Sequence, residues 1–349
     1  MKKVKVLIVD DSSVVRNVLT EEMSKDARIE VVGTAMDPYI ARDKVVTLKP
    51  DVLVLDVEMP RMDGITFLSK LMKHAPMPVI IFSSLTPEGC ETALEALSMG
   101  AIEVMHKPDL DVTHKLREAM VQLQDKIIAA SKVRYKFTVK EKVKKKKGPS
   151  FTDKGAMIKT TDKVVAIGAS TGGTEAIREI LPTLPANFPG IVITQHMPAQ
   201  FTKTFADSLN KQCVLEVREA RDNDTIRPGL VLIAPGNYHM LLRRSGARYY
   251  VQVKDGPLVH HQRPSIEILF NSVAKYAGSN SIGAILTGMG SDGAAGLLNM
   301  KNAGAHTIAQ DEKSCVVYGM PKAAVEQKAA VSVISLKNIP GELMQKVSR

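Results

Sequence analysis

Short runs rich in Val, Ile and Leu, each followed by a polar–apolar stretch of helix length, recur along the chain and constrain its fold more than any other feature. Five lie in the first third: Val4–Val9, Ile29–Thr34, Asp51–Leu55, Val79–Phe82 and Ile102–Met105. A strand with one wet face alternates apolar and polar residues. These runs are mostly apolar on both faces, so both faces need cover, as helices provide on a parallel sheet. Three further runs, Val164–Ile167, Gly190–Gln195 and Ile282–Thr287, read as strands of a second parallel sheet.

The 349 residues leave room for two domains, each with its own core. With 44% hydrophobic and 24% charged residues the composition is globular, and no apolar run approaches membrane-spanning length. Met1-Lys2-Lys3 precedes only a short apolar run before Asp10, too little for a secretory signal. Cys90, Cys213 and Cys315 are far apart and match neither a disulfide framework nor a metal spacing. A cytoplasmic location is the expectation. Between Lys126 and Lys163 stand 13 Lys/Arg and 3 Asp/Glu, which carry the whole net charge of +10; 34 of each sign remain elsewhere. This block lacks periodicity and repels itself. It reads as a flexible basic linker over 126–162, between domains at 1–125 and 163–349. A nucleic-acid or membrane patch is the alternative reading, and a solvated tether is favoured over it.

In the first domain, acidic residues close two of the strands, Asp10 and Asp11 after the first and Asp56 after the third. Ser83 closes the fourth, and Lys107 follows the fifth. Three carboxylates at one sheet edge repel unless a hard cation sits among them. Mg²⁺ suits such oxygen ligands and keeps waters for an incoming phosphate. Asp56 is the natural nucleophile, and a lysine with a hydroxyl can hold phosphoryl oxygens. The set Val9-Asp10-Asp11-Ser12, Asp56-Val57-Glu58-Met59-Pro60, Ser83 and Lys107-Pro108 closely resembles response-regulator receiver domains over the whole domain. The resemblance implies a five-stranded, flavodoxin-like parallel sheet. It also implies phosphorylation of Asp56 by a histidine kinase, Mg²⁺ on Asp11, Asp56 and the Glu58 carbonyl, and Ser83 and Lys107 as phosphate sensors. Serine replaces the threonine common at the hydroxyl position, losing only a methyl group. His106 reads as an ordinary strand-end residue.

In the second domain, Gly168-Ala169-Ser170-Thr171-Gly172-Gly173 lies between an apolar run and a helix-like stretch, Thr174 to Leu184. It is literally a G-x-S-x-G turn, with its serine near a helix N-terminus where an oxyanion can be held. Taken alone it is ambiguous, because Gly-rich strand-to-helix turns more often hold phosphate or merely pack. Its company lifts it: Gly190–Gln195 ends on His196, and Ile282–Thr287 leads to Gly288-Met289-Gly290-Ser291-Asp292-Gly293. Strand carboxyl ends gather along one sheet edge, so a Ser170–His196–Asp292 triad is geometrically available. The order Ser, His, Asp disfavours the α/β-hydrolase fold. A helix-turn-helix output would be smaller and helical, and a dinucleotide-binding G-x-G-x-x-G is absent.

The combination of receiver, linker, Gly-Ala-Ser-Thr-Gly-Gly-Thr-Glu, Ile-Thr-Gln-His-Met-Pro, Ile-Ala-Pro-Gly and Leu-Thr-Gly-Met-Gly-Ser-Asp-Gly is similar to the chemotaxis-receptor methylesterases of the CheB family. This resemblance implies a doubly wound parallel sheet with an antiparallel hairpin near Leu230–Val253. The site residues it implies are catalytic Ser170, His196 and Asp292, Met289 through its N–H, and Thr171 supporting the histidine. It further implies hydrolysis of glutamyl γ-methyl esters on cytoplasmic helices of chemoreceptors, with methanol released, and deamidation of receptor glutamines. A chemotaxis histidine kinase would be the phosphodonor. Neither a metal for hydrolysis, nor nucleic acid, nor membrane insertion is expected. A non-catalytic output and a small-molecule serine hydrolase are the competing functions. His239 and the His260-His261 pair read as surface or loop residues without metal-ligand companions.

Overall fold

The computed structural model describes residues 2–59, 63–83, 86–107, 113–133 and 163–348. The chain forms two compact units. In the first, strands and helices alternate: β1 (Val4–Val9), α1 (Ser13–Ser24), β2 (Ile29–Ala35), α2 (Pro38–Leu48), β3 (Val52–Leu55), α3 (Gly64–His74), β4 (Val79–Ser83), α4 (Pro87–Ser98), β5 (Glu103–His106) and α5 (Thr113–Ala130). The five strands are parallel in the order β2-β1-β3-β4-β5. Each of the first four helices starts where a short polar side chain accepts from the opening amides: Ser12, Asp37, Asp63 and Thr86. Val6, Ile8, Val54, Ile80 and Phe82 meet Leu19, Met23, Leu123 and Ile127 in one core. The order reverses between β1 and β3, so the loops after these strands flank a crevice.

Helix α5 runs five residues beyond position 125, where the sequence reading ended the domain. Ile127 and Ala130 are in the core, and Lys126 pairs with the buried Glu103 at 3.2 Å. The start of the basic block is thus part of the first unit, because its apolar residues still have a sheet to cover. Residues 134–162, the rest of the expected linker, lie outside the described residues, as do Pro60 and Pro108.

The second unit comprises β6 (Val164–Ala169), α6 (Gly173–Ile180), β7 (Ile191–Gln195), α7 (Phe201–Asn210), β8 (Glu216–Glu219), β9 (Leu230–Ile233), β10 (His239–Ser245), β11 (Arg248–Lys254), α8 (Ile266–Tyr276), β12 (Ser281–Ile285), α9 (Ala294–Asn302), β13 (His306–Gln310), α10 (Met320–Glu326), β14 (Ser332–Ile334) and α11 (Ile339–Val347). Seven parallel strands run β14-β13-β12-β6-β7-β9-β8. The chain winds outward from β6 in one direction and later in the other, and this reversal places the switch point between β6 and β12. The antiparallel hairpin is β10–β11, paired from His239↔Lys254 to Ser245↔Arg248. The region expected to hold it is split: Leu230–Ile233 joins the parallel sheet, because all four of its residues are buried, whereas β10 and β11 each have a wet face. The hairpin is tied to α8 by the Leu242 N–H, which donates to Ser272 Oγ at 2.8 Å.

Candidate active site

Three adjacent strands, β12, β6 and β7, end in the loops that carry Asp292, Ser170 and His196. All three residues are buried. His196 Nδ1 lies 3.1 Å from Ser170 Oγ, and His196 Nε2 lies 2.7 Å from Asp292 Oδ2. A carboxylate only accepts, so Nε2 carries the proton and donates to Asp292, which leaves Nδ1 free to accept from the serine hydroxyl. The arrangement can move a proton off an attacking oxygen and hold the resulting imidazolium.

The turn that presents Ser170 differs from a strained nucleophile elbow. Ser170 is not among the residues with positive φ; the left-handed residue is Gly172, at φ 76°, which opens α6. The Ser170 N–H is bonded to Thr287 O at 3.0 Å, and Thr287 Oγ1 donates to Thr171 O at 3.0 Å. Gln310 in turn accepts from the Thr287 N–H at 2.8 Å. Gly288 packs so closely on Ser170 that a Cβ there would lie 2.6 Å from the serine Cβ. Among the described residues none accepts from the Met289 N–H, beside this contact.

Asp292 is held at the N-terminus of α8. Its Oδ1 accepts from Ser265 Oγ (2.8 Å) and the Glu267 N–H (3.0 Å), and its Oδ2 from the Ile266 N–H (2.8 Å) as well as His196. Burial pushes the Asp292 pKa up, but the bond and charge of His196 and the two amides outweigh it and hold the carboxyl below the ordinary range.

At the receiver's switch point, carboxylate oxygens of Asp10, Asp11 and Asp56 lie within 4.8 Å of one another. Lys107 Nζ is 2.6 Å from Asp56 Oδ2 and 2.8 Å from Asp10 Oδ2. The ammonium thus bridges one oxygen of each of two buried carboxylates. Burial raises the Asp56 pKa despite the opposing pull of Lys107, and neighbouring Asp10 adds to the rise. For Lys107, burial alone would lower the pKa, but the two carboxylates raise it. Three clustered carboxylates opposed by a single ammonium form an oxygen-only set that fits a hard divalent cation. Ser83 closes β4 next to Lys107, whose N–H donates to Ser83 O at 2.8 Å. The Glu58 N–H donates to Asp56 Oδ1 at 3.0 Å, while its side chain accepts from Thr86 Oγ1 at 3.1 Å.

Comparison with known proteins decides the family. Residues 165–343 match the CheB methylesterase family and residues 6–118 the response regulator receiver domain. A protein-glutamate methylesterase/protein-glutamine glutaminase of Syntrophus aciditrophicus is 56% identical over 99% of this chain and 100% of its own length. One from Bdellovibrio bacteriovorus is 52% identical over 99% of this chain and 98% of its own. The chain belongs to the CheB methylesterase family. The solved catalytic domain of Thermotoga maritima CheB methylesterase is 39% identical, with a TM-score of 0.52 over 53% of this chain and 98% of that one.

Other parts of this CheB-family site were not legible beforehand. Ser265, Ile266 and Glu267 hold Asp292 from a segment that sequence reasoning passed over; Ser265 before an apolar run was a readable helix N-cap, but its second role was not. His239 was expected at the surface and is buried. It accepts the Ser265 N–H at Nδ1 (3.2 Å) and bonds Pro257 O through Nε2 (2.8 Å). It stands at the start of β10 on the face opposite the core residues Met240 and Leu242, and the Gly256–Pro257 turn and Ser265 cover it there. His260 does have acidic companions: a ring nitrogen and carboxylate oxygens of Glu267 and Asp292 lie within 4.8 Å. They leave little for a cation, because Asp292 already accepts four bonds and Glu267 accepts from Asn271 Nδ2 and the Gly293 N–H. No described helix is long and apolar enough to cross a membrane.

Proposed function

We propose that this chain is a cytoplasmic, phosphorylation-activated hydrolase that removes methyl groups from glutamyl γ-methyl esters of chemoreceptors and deamidates receptor glutamines. The observation that carries this reading is the continuous Ser170–His196–Asp292 hydrogen-bonded chain in a protein so close to named methylesterase/glutaminases. Ser170 Oγ attacks the ester carbonyl while His196 Nδ1 takes its proton. The C–O bond to the methoxy group breaks, and the same proton leaves with it as methanol. A water then gives a proton to His196 and attacks the acyl-serine, releasing glutamate and restoring Ser170. With a glutamine the first leaving group is ammonia.

The Met289 N–H is the donor for the oxyanion, and the buried Thr171 supports the imidazole. Preorganised donors of this kind contribute about 10²–10³-fold. In the receiver, Asp56 accepts a phosphoryl group from a chemotaxis histidine kinase, and Ser83 and Lys107 hold its oxygens. Mg²⁺ on Asp11, Asp56 and the Glu58 carbonyl, beside Asp10, would offset the charge of carboxylates and phosphate. The substrate segments are the methylated cytoplasmic helices of the receptors.

The test is methanol release from methylated receptor membranes, with and without a small phosphodonor. Release should occur, increase with phosphodonor and Mg²⁺, and fall by several orders of magnitude in Ser170→Ala, since triad members act as one unit. Substantial turnover by Ser170→Ala would remove the triad assignment. An active esterase that leaves methylated receptors untouched would point to a small-molecule substrate.

A further inference from the structure

Gln195 precedes His196 at the end of β7, and its side chain is 1% exposed. Its Nε2 donates to Ser170 O at 2.9 Å and to His196 O at 3.1 Å. Both neighbours are carbonyl oxygens, which only accept, so the nitrogen must face them. Oε1 points away and has no donor. It lies against Gly173, where a Cβ would be 2.2 Å distant. A buried oxygen left unpaired is costly, so the advantage of glutamine here must come from its nitrogen.

The β6–β7 ladder ends with the His196 N–H on Ala169 O at 3.1 Å. Just beyond that bond the chain turns away from each strand to present Ser170 on one side and His196 on the other. The Gln195 amide spans this gap with one nitrogen. We infer that Gln195 is a positioning residue, which fixes the main chain of the nucleophile against that of the base and thereby sets the 3.1 Å Oγ–Nδ1 approach. The inference rests on the triad reading. It predicts a loss in the chemical step, because misplacement of reacting groups by about 1 Å costs about 10²-fold.

The experiment uses the full-length protein with phosphodonor, methylated receptor membranes as substrate, and a fluorophosphonate that labels the active serine. Gln195→Met keeps the side-chain length and removes both donors. It should lower kcat and the labelling rate of Ser170 together by about 10–10²-fold with KM little changed. Gln195→Glu supplies a readout that loss of packing would not move. Burial and two facing carbonyls favour the protonated carboxyl, which can donate one bond. Its activity should exceed that of Gln195→Met at low pH and fall to that level or below as the carboxyl ionises, adding a descending limb absent from the parent profile. A Gln195→Met enzyme with kcat and labelling rate within about twofold of the parent would overturn the inference. So would a Gln195→Glu enzyme that tracks Gln195→Met at every pH, since the loss would then be packing alone. Retained turnover in Ser170→Ala, run alongside, would instead strike the triad itself.

Discussion

Two buried aspartates, one in each site, have their pKa values pushed in opposite directions, and the number of donors around each explains why. Asp292 accepts from a hydroxyl, two amides and an imidazole, which together outweigh its burial. Asp56 has Lys107 and one amide, with a second carboxylate nearby, and burial prevails. Asp292→Asn turns an N–H toward the Glu267 amide on one side or the Ile266 amide on the other, neither of which can accept, and on the latter side favours the wrong imidazole tautomer. We expect kcat for methanol release to fall by up to about 10⁴-fold with KM little changed. The same substitution tests a stability effect. Because the folded-state pKa of Asp292 is depressed, its contribution is fully present above the ordinary aspartate value of about 3.9 and is lost as pH falls through the lower folded value. Thermal unfolding of the second unit should therefore lose stability in that acid window more steeply in the parent than in Asp292→Asn. Equal acid-side slopes would contradict it.

At the scale of elements, the loop after β12 serves both the acid and the nucleophile. Gly288 receives Tyr318-side backbone bonds, its N–H on Val317 O at 3.0 Å and its carbonyl accepting from Met320 N–H at 2.8 Å, while its Cα faces Ser170. A methyl group there meets both Ser170 Cβ and Met320 Sδ at 2.6 Å. The serine turn is pinned by Thr287 and cannot recede freely. Gly288→Ala should cost about 1–3 kcal/mol of stability, as overpacking does, and should depress turnover further than that loss explains. Denaturant unfolding and kcat on the same preparation check both parts; wild-type kcat would show that the two loops move apart without consequence. Helix α8 has an equally double task, since its first amides satisfy Asp292 while Ile266 and Phe270 pack in the core. Displacing the helix would therefore disturb the acid.

At the scale of the molecule, each unit has its own core and its own cluster of polar residues at a switch point. The basic segment expected between them suits a tether that holds one domain near the other at high effective concentration. We expect the unphosphorylated receiver to restrain the hydrolase. A tenfold activation needs only about 1.4 kcal/mol of differential stability between restrained and released forms. A fragment spanning 163–349 should then show higher basal methanol release than the unphosphorylated full-length protein, and a phosphodonor should stimulate only the latter. Equal basal rates would exclude restraint, and stimulation of the full-length protein in that case would mean direct activation by the receiver.

Much of this protein was readable from residue pattern. Apolar runs predicted all five receiver strands to within a residue: β3 and β4 are buried throughout and so are apolar throughout, while the half-exposed edge strand β2 was still legible from its Ile29, Val31 and Val32. Glycines and single polar residues after β6, β7 and β12 marked the ends where a site could form. The hairpin lies in the expected stretch, whose start was drawn too early because Leu230–Ile233 and β10 are both rich in apolar residues, and only the sheet shows which of them pairs in parallel. The end of α5 was likewise set by core contacts of Ile127 and Ala130, whose basic neighbours masked them. Folding alone decided which His196 nitrogen faces Asp292, that α8 supplies the donors to that carboxylate, and that Gln195 bridges two turns. These are bonds between segments up to 96 residues apart. Local periodicity and turn chemistry govern neighbours along the chain, whereas such bonds depend on how finished elements pack.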